Sequence, residues 1–262
     1  MRYGRVLATI GLLALAPPVL AYDKGSFNIT KKTIDTVVSS TYRHWSTIGS
    51  FDAGQRITIK NGSGSGVILL DKKTGDQYYL TAAHTVASSN FTESDAISGV
   101  HTVNEINMEI VKMDEEQDLA LLKIDGCLPN VYKGRIVGDY ELGDLLLSYG
   151  YSGVLHDNGL LKEGRIGNES KRYLVYYGQI QPGDSGSPIY ALDFGEPVMV
   201  GINVGIYREN PHISLAVSGE NVLNFLKGTI LEDDYVTHKN TTGENKKGCG
   251  KYSCPVPKKD TQ

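Results

Sequence analysis

Three side chains in this sequence have the types and settings that acyl transfer requires. Ser185 lies in the turn-like stretch Gly183-Asp184-Ser185-Gly186-Ser187-Pro188, where small neighbours let the backbone fold tightly and let another molecule come close. Such a turn aims Oγ into a cleft while the amides of Gly183 and Ser185 converge on one spot. An oxyanion developing there would be stabilised by both amides. Taken alone, a Gly/Ser/Asp cluster is usually only a turn. A serine hydroxyl also attacks poorly while protonated, so it needs a base, and the base needs a third group to hold its tautomer and orientation. His84 is the candidate base. It stands at the end of the strand-like run Leu80-Thr81-Ala82-Ala83-His84-Thr85-Val86, and an imidazole titrates near 6.5 in water, suited to taking and returning a proton. Asp118 is the candidate orienting acid. It leads directly into the apolar run Leu119-Ala120-Leu121-Leu122, whereas Asp114, Glu115 and Glu116 read as a solvated charge run. Singly, the histidine reads more often as structural and the aspartate as the start of a strand.

The elements that must position these groups read as short strands. Thirty glycines and sixteen tyrosines favour strands joined by tight turns over long helices. Residues 22–55 are mixed and polar, either a short propeptide or an N-terminal arm laid over the domain, with Lys24, Lys31, Lys32 and Arg43 as processing points. From Arg56 the runs Ile57–Lys60, Ser65–Leu70 and Gln77–Ala82 are separated by the turn signals Asn61-Gly62 and Thr74-Gly75-Asp76. Val100–Met113 alternates with β-branched residues, and Asp118–Ile124 is a short apolar strand. Gly126–Gly143, with Pro129, Gly134 and Gly138, reads as the connection between two halves. Strand-like runs resume at Leu145–Tyr149, Leu160–Ile166, Tyr173–Tyr177, Ser187–Ala191, Val198–Val204 and Ile213–Val217. Strands this short at frequent intervals predict barrels or sandwiches. One convincing helix is predicted at Glu220–Ile230, with Ser218 as its N-cap. Residues 231–262 read as a mostly flexible polar tail.

Composition narrows the partners. Residues 1–21 have the form of a secretory signal peptide: Arg2 and Arg5, an uncharged run Val6–Leu15, then Pro17-Pro18 before Val19-Leu20-Ala21. That run falls short of the roughly 20 residues a membrane span needs. The chain carries a formal charge of −4. Loss of Arg2 and Arg5 leaves 24 basic against 30 acidic side chains, or −6. Without a basic stripe interleaved with aromatics, nucleic acid is not the expected partner. A secreted or periplasmic protein, free of the membrane after signal removal, is expected. In such an oxidising place Cys249 and Cys254 could close a tail loop, leaving Cys127 free, although three cysteines do not fix a connectivity. No histidine forms a His-Glu-x-x-His pair and the cysteine spacing matches no zinc motif, so neither metal nor organic cofactor is implied. Asn-x-Ser/Thr sequons begin at Asn28, Asn61, Asn90, Asn168 and Asn240.

Thr-Ala-Ala-His84, Asp118-Leu-Ala-Leu-Leu and Gly-Asp-Ser185-Gly-Ser-Pro, in that order, together resemble the chymotrypsin-like serine protease superfamily over roughly residues 56–230. The resemblance implies an all-β fold of two six-stranded Greek-key barrels, at about 56–126 and 144–218, closed by a C-terminal helix at 220–230. It implies that His84 and Asp118 come from the first barrel and Ser185 from the second, with a peptide or protein substrate in the cleft between them. The run Val200-Gly201-Ile202-Asn203-Val204-Gly205, the helix Glu220–Leu226 and Ser187 are similar to the bacterial glutamyl endopeptidases. That branch's glutamate preference relies on a hydroxyl residue and a histidine where this chain has Ile180 and Asn203. The aspartate that gives trypsins their basic preference is replaced by Gln179. With Val204 and Gly205 as the remaining substrate-binding positions, the expected side chain before the scissile bond is neutral or hydrophobic. Asp184 matches trypsins, where it pairs with an N-terminal amine released on activation. Its partner here is left open by the sequence. Arg135-Ile136-Val137-Gly138 resembles an activation site, but a cut there would sever the barrels.

Two other classes are weighed. An α/β-hydrolase esterase requires Gly-x-Ser-x-Gly and the chain order Ser, Asp, His, and this sequence has neither. A protease-like domain retained for binding or adhesion is the alternative function, and such domains usually lose a member of the triad.

Overall fold

The computed structural model describes residues 29–51, 57–87, 96–152, 158–170, 172–193 and 195–236. The signal-like residues 1–21, His156, His238, Cys249, Cys254, the sequons at Asn28, Asn90 and Asn240, and the tail from 237 onward lie outside them.

Twelve strands close into two antiparallel barrels of six, the all-β architecture that the motifs imply. The first barrel comprises β1 (Thr41–Phe51), β2 (Ile57–Leu70), β3 (Gln77–Thr81), β4 (Ala96–Val103), β5 (Ile106–Asp114) and β6 (Leu119–Ile124), in the order β1-β2-β3-β6-β5-β4. The second comprises β7 (Leu145–Gly150), β8 (Leu160–Glu169), β9 (Tyr173–Tyr177), β10 (Pro188–Asp193), β11 (Glu196–Tyr207) and β12 (Asn210–Ser218), in the order β10-β11-β12-β9-β8-β7. Alternation of inward apolar and outward polar residues fills each barrel. Ile68, Tyr79, Val103 and Leu122 pack inside the first, and Leu146, Leu174, Ile189 and Val200 inside the second. A third apolar cluster, including Leu80, Leu121, Tyr132, Leu147, Tyr190 and Phe225, joins the barrels and the helix behind them.

Three expectations about the first barrel are corrected. The first barrel begins at Thr41 rather than at residue 56, because β1 pairs with β2 along its whole length, from Thr41↔Val67 to Phe51↔Ile57. A cleavage after Thr41 would therefore remove part of a barrel strand. Ahead of it, helix α1 (Lys31–Ser39) is capped by Thr30 and buries Val37 in the cluster between the barrels. Asn61-Gly62 is not a turn but the middle of β2, opposite Thr47 and Ser46. The glycines that follow serve close approach instead. A Cβ on Gly64 would stand 2.9 Å from Thr85 Cγ2 and 3.0 Å from Ser185 O, at the seam between the barrels. Val100–Met113 is not one strand but a hairpin, turned at Asn104 and Glu105 with φ of 46° and 65°.

The predicted helix is shorter than expected. Helix α2 (Gly219–Leu226) starts where Ser218 Oγ accepts the Asn221 amide, and the chain then turns through Gly228 at φ 71°. The tail's first residues are docked rather than loose. In α3 (Glu232–Tyr235) the Tyr235 hydroxyl donates to Tyr132 O at 3.1 Å and accepts from the Leu70 amide at 3.1 Å. The connection between barrels runs as expected, bridging Leu69↔Tyr132 and Ile136↔Met199. Cys127, within it, is disulfide-bonded and so is not the free thiol of the tail-loop alternative.

Candidate active site

The first barrel presents His84 and Asp118 together. β3 ends at Thr81, and a single 3-10 turn, Ala83–Thr85, carries His84 out of the barrel while Ala82 and Ala83 stay buried beneath it. Small residues are needed there because the turn lies against the barrel wall. Thr85 Oγ1 donates to Ala82 O at 2.7 Å and locks it. Asp118 closes the β5–β6 turn at φ 59°, a left-handed conformation costly for a non-glycine residue. The strain is matched by what the carboxylate does. Oδ1 accepts the His84 backbone amide at 2.8 Å, and Oδ2 accepts from the ring at Nδ1 at 2.8 Å. With the proton held on Nδ1, the lone pair of Nε2 faces away from Asp118 and is available as a base. His84 is half-exposed and the Asp118 side chain one-fifth exposed.

The second barrel presents Ser185 at the end of a tightly bonded loop. Asp184 N donates to Gln181 O at 2.9 Å, Gln181 N donates to Asp184 Oδ2 at 2.6 Å, and Ser187 N donates to Asp184 O at 2.9 Å. Gly186 N donates to Asn203 O at 2.7 Å. Gly183 and Gly186 have φ of 100° and 86°, and a Cβ on Gly186 would collide with Thr81 Oγ1 and Ser65 O. Among the described residues, no protein group accepts from the amides of Gly183 or Ser185. They are left for another acceptor, which is what an oxyanion site requires.

Ser65 joins the two halves and carried no catalytic signal in the sequence beyond its glycine neighbours. Its amide donates to Ser185 O at 2.8 Å, its hydroxyl donates to Gly183 O at 2.8 Å, and its carbonyl accepts from Thr81 Oγ1 at 2.7 Å. Ser65 thus ties the serine loop to the strand that leads to His84. Among the described residues no hydrogen bond joins His84 to Ser185. Such bonds are often long without substrate and tighten in the complex.

Asp184 answers the question its sequence left open. Its side chain is 1% exposed, and its ionic partner is Lys162 Nζ on β8. Burial raises the carboxyl's pKa, while Lys162 and the Gln181 amide pull it back down. Lys162 was missed, yet a signal exists. Along β8, positions 162, 164 and 166 share the inward face, and Ile166 is buried, so Lys162 is a lysine directed into a barrel.

The substrate-binding positions divide. Gln179 is exposed, with Nε2 2.8 Å from His212 Nδ1. Val204 and Gly205 are half-buried at a bulge where β11 slips its pairing with β12. Ile180 and Asn203, expected to line the pocket, also serve the barrel's interior, and Ile180 shares a small cavity with Gln179 and Lys162. Ile180 packs into the second barrel's core. Asn203 is fully buried: Oδ1 accepts from Tyr176 Oη at 2.6 Å, and Nδ2 donates to Ser148 Oγ at 3.0 Å and Ser187 Oγ at 2.9 Å. A groove of about 650 Å³ between α1, the connection and the β10–β11 hairpin contains none of these residues. Among the described residues, no cluster of three or more His, Cys, Asp or Glu is placed to hold a metal ion, and no helix is long and apolar enough to cross a membrane.

The sequence profile of the trypsin-like peptidase domain matches residues 64–202, more than half of the chain and all three candidate residues. The chain belongs to the trypsin-like peptidase family. Two solved structures are similar in fold. The serine endoprotease of Yersinia pestis superposes with a TM-score of 0.55 at 21% identity, over 80% of this chain and 68% of that one. The active form of the Rv3671c protease of M. tuberculosis superposes with a TM-score of 0.53 at 17% identity, over 85% of this chain and 93% of that one. No curated protein sequence matches. At these identities the likeness establishes the shared double-barrel fold, and the reading of the site rests on the residues themselves.

Proposed function

We propose that this trypsin-like peptidase is an exported serine endopeptidase acting through Ser185, His84 and Asp118. The observation that carries the reading is the two-point hold of Asp118 on His84, at the backbone amide and at Nδ1, which leaves Nε2 to act on the serine. Ser185 Oγ attacks the peptide carbonyl as His84 Nε2 takes its proton. The oxyanion is received by the amides of Gly183 and Ser185, and His84 returns the proton to the departing amine. Water then repeats the sequence on the acyl-enzyme, with His84 again as base.

The side chain before the scissile bond is neutral or hydrophobic. Lys162 and Asp184 neutralise each other, and the Asn203 amide is engaged inside the barrel, so none of these three offers a free counterpart to a charged side chain. Within the family we place the chain beside the bacterial glutamyl endopeptidase branch on Ser187, the Val200–Gly205 strand and the Glu220–Leu226 helix, without that branch's specificity. Residues 1–21 act as the export signal, and the cystine at Cys127 forms in the oxidising compartment beyond the membrane.

The test is covalent labelling with a fluorophosphonate probe. Labelling at Ser185, lost in Ser185→Ala together with about 10⁴-fold or more of peptidase activity, is the expected result. A folded, unlabelled wild type would instead favour a protease-like binding domain. A peptide library dominated by Glu, Lys or Arg before the cleaved bond would overturn the specificity.

A further inference from the structure

A buried carboxylate beside the nucleophile has to be anchored by something outside its own loop. Within the loop, Asp184 is bonded to Gln181 and Ser187, contacts that would move with it. One of its oxygens, Oδ1, is buried without a hydrogen-bond partner, and Gly150 backs it so closely that a Cβ there would collide with it. An ionised group this enclosed is held in place only by a matching charge. Among the described residues Asp184 has one ionic partner, Lys162, whose side chain is 12% exposed. The lysine is placed by the sheet. β8 pairs it opposite Ser148, whose hydroxyl belongs to the network of Asn203 and Ser187. The carboxylate it grips lies between Gly183 and Ser185, the two residues whose amides form the oxyanion site. If Asp184 swings toward water, the peptide on either side of it rotates and the amides diverge.

We infer that Lys162 is a positioning residue that sets the oxyanion site from within the folded chain, so that the peptidase becomes competent without a liberated N-terminal amine. This rests on the serine-protease reading. The cation is carried by a strand of the same barrel as the loop it holds, and it reaches Asp184 as soon as β7 and β8 pair. Processing of the N-terminal segment is then free to serve export or assembly, and is not the switch that builds the site.

The experiment compares wild type, Lys162→Met and the double variant Lys162→Met/Asp184→Asn by kcat, KM, rate of fluorophosphonate labelling and melting temperature. Methionine keeps the length of the side chain and removes its charge. Lys162→Met is expected to lose 100-fold or more in kcat and in labelling rate, a loss on the scale of one missing oxyanion donor. The double variant, with no charge left unpaired in the barrel, is expected to fold even if the single variant does not, and to turn over at least tenfold more slowly than wild type. Wild-type kcat in either folded variant overturns the inference. In parallel, chains with the N-terminal amine acetylated or extended by a short peptide are expected to keep kcat within twofold, and loss of activity on blocking that amine would equally overturn it. A wild type that never labels removes the protease reading itself, whereas a labelled wild type with an equally active Lys162→Met removes only the role of Lys162.

Discussion

The two barrels prepare their halves of the site by opposite means. The first works near water: a 3-10 turn on small residues, the Thr85 hydroxyl, and a partly exposed aspartate that grips His84 at two points. Behind that turn is a second histidine, His44, fully buried and bonded to Tyr79. The second barrel uses a buried ion pair and a polar network without direct access to the cleft. The difference matches what each half does in the proposed mechanism. His84 changes charge during the reaction, so its surroundings must admit solvent and tolerate both states. The oxyanion amides must not move at all, and a desolvated pair holds its loop more rigidly than a surface contact would.

If the first half is an orienting device, Asp118→Asn should be the most damaging change that leaves the fold intact. The amide can still accept from the His84 backbone, but it favours the wrong tautomer at Nδ1. The expected loss is about 10⁴-fold in kcat, with little change in melting temperature because the side chain is partly exposed. A loss confined to KM would show that Asp118 shapes substrate binding instead. The second half should respond differently. Gly150→Ala pushes a methyl against Asp184 Oδ1, so it should lower kcat by roughly 10- to 100-fold and reduce stability too, by about 1–3 kcal/mol, as measured by denaturant titration. Unchanged kcat in that variant would mean that the ion pair does not transmit to the amides.

The same contrast explains what could be read in the sequence. The two barrels, the connection through 126–143 and the N-cap at Ser218 were legible because they depend on local rules: alternation, turn residues and capping. His84, Asp118 and Ser185 stand out as candidates in the sequence because each is embedded in small or apolar neighbours with a visible reason. What escaped depends on pairing between distant segments. β1 looks polar because Thr41, His44 and Ser46 stand among its buried positions, and only its register with β2 makes it a barrel strand. Asn61-Gly62 has turn chemistry, but the long partner β1 keeps it extended. Asn203 has the position of a specificity residue, yet Tyr176, Ser148 and Ser187, from three other segments, claim its amide. Lys162 showed a parity signal, but its meaning depended on knowing where Asp184 would lie.

The smallest expected effect sharpens the comparison from the first barrel. Tyr79 Oη donates to Tyr42 O at 2.8 Å, so its oxygen accepts from His44, which must carry its proton on Nδ1, at 3.1 Å. Burial, with smaller contributions from His101 and His84, lowers the His44 pKa from 6.5 to about 3. In the unfolded chain it takes up a proton as the pH drops below 6.5, while in the folded protein it stays neutral until about 3. Between those values the unfolded state binds more protons, so stability falls as the medium is acidified, by roughly 3 kcal/mol on reaching about pH 4. His44→Gln keeps a donor for Tyr79 and removes the titration. Its stability should differ from wild type by no more than about 1 kcal/mol at neutral pH and should decline less steeply toward pH 4, as read from urea unfolding at a series of pH values. An unaltered slope would assign the acid sensitivity to another buried base, and His101 in the same barrel, whose pKa burial also lowers, is the next such group.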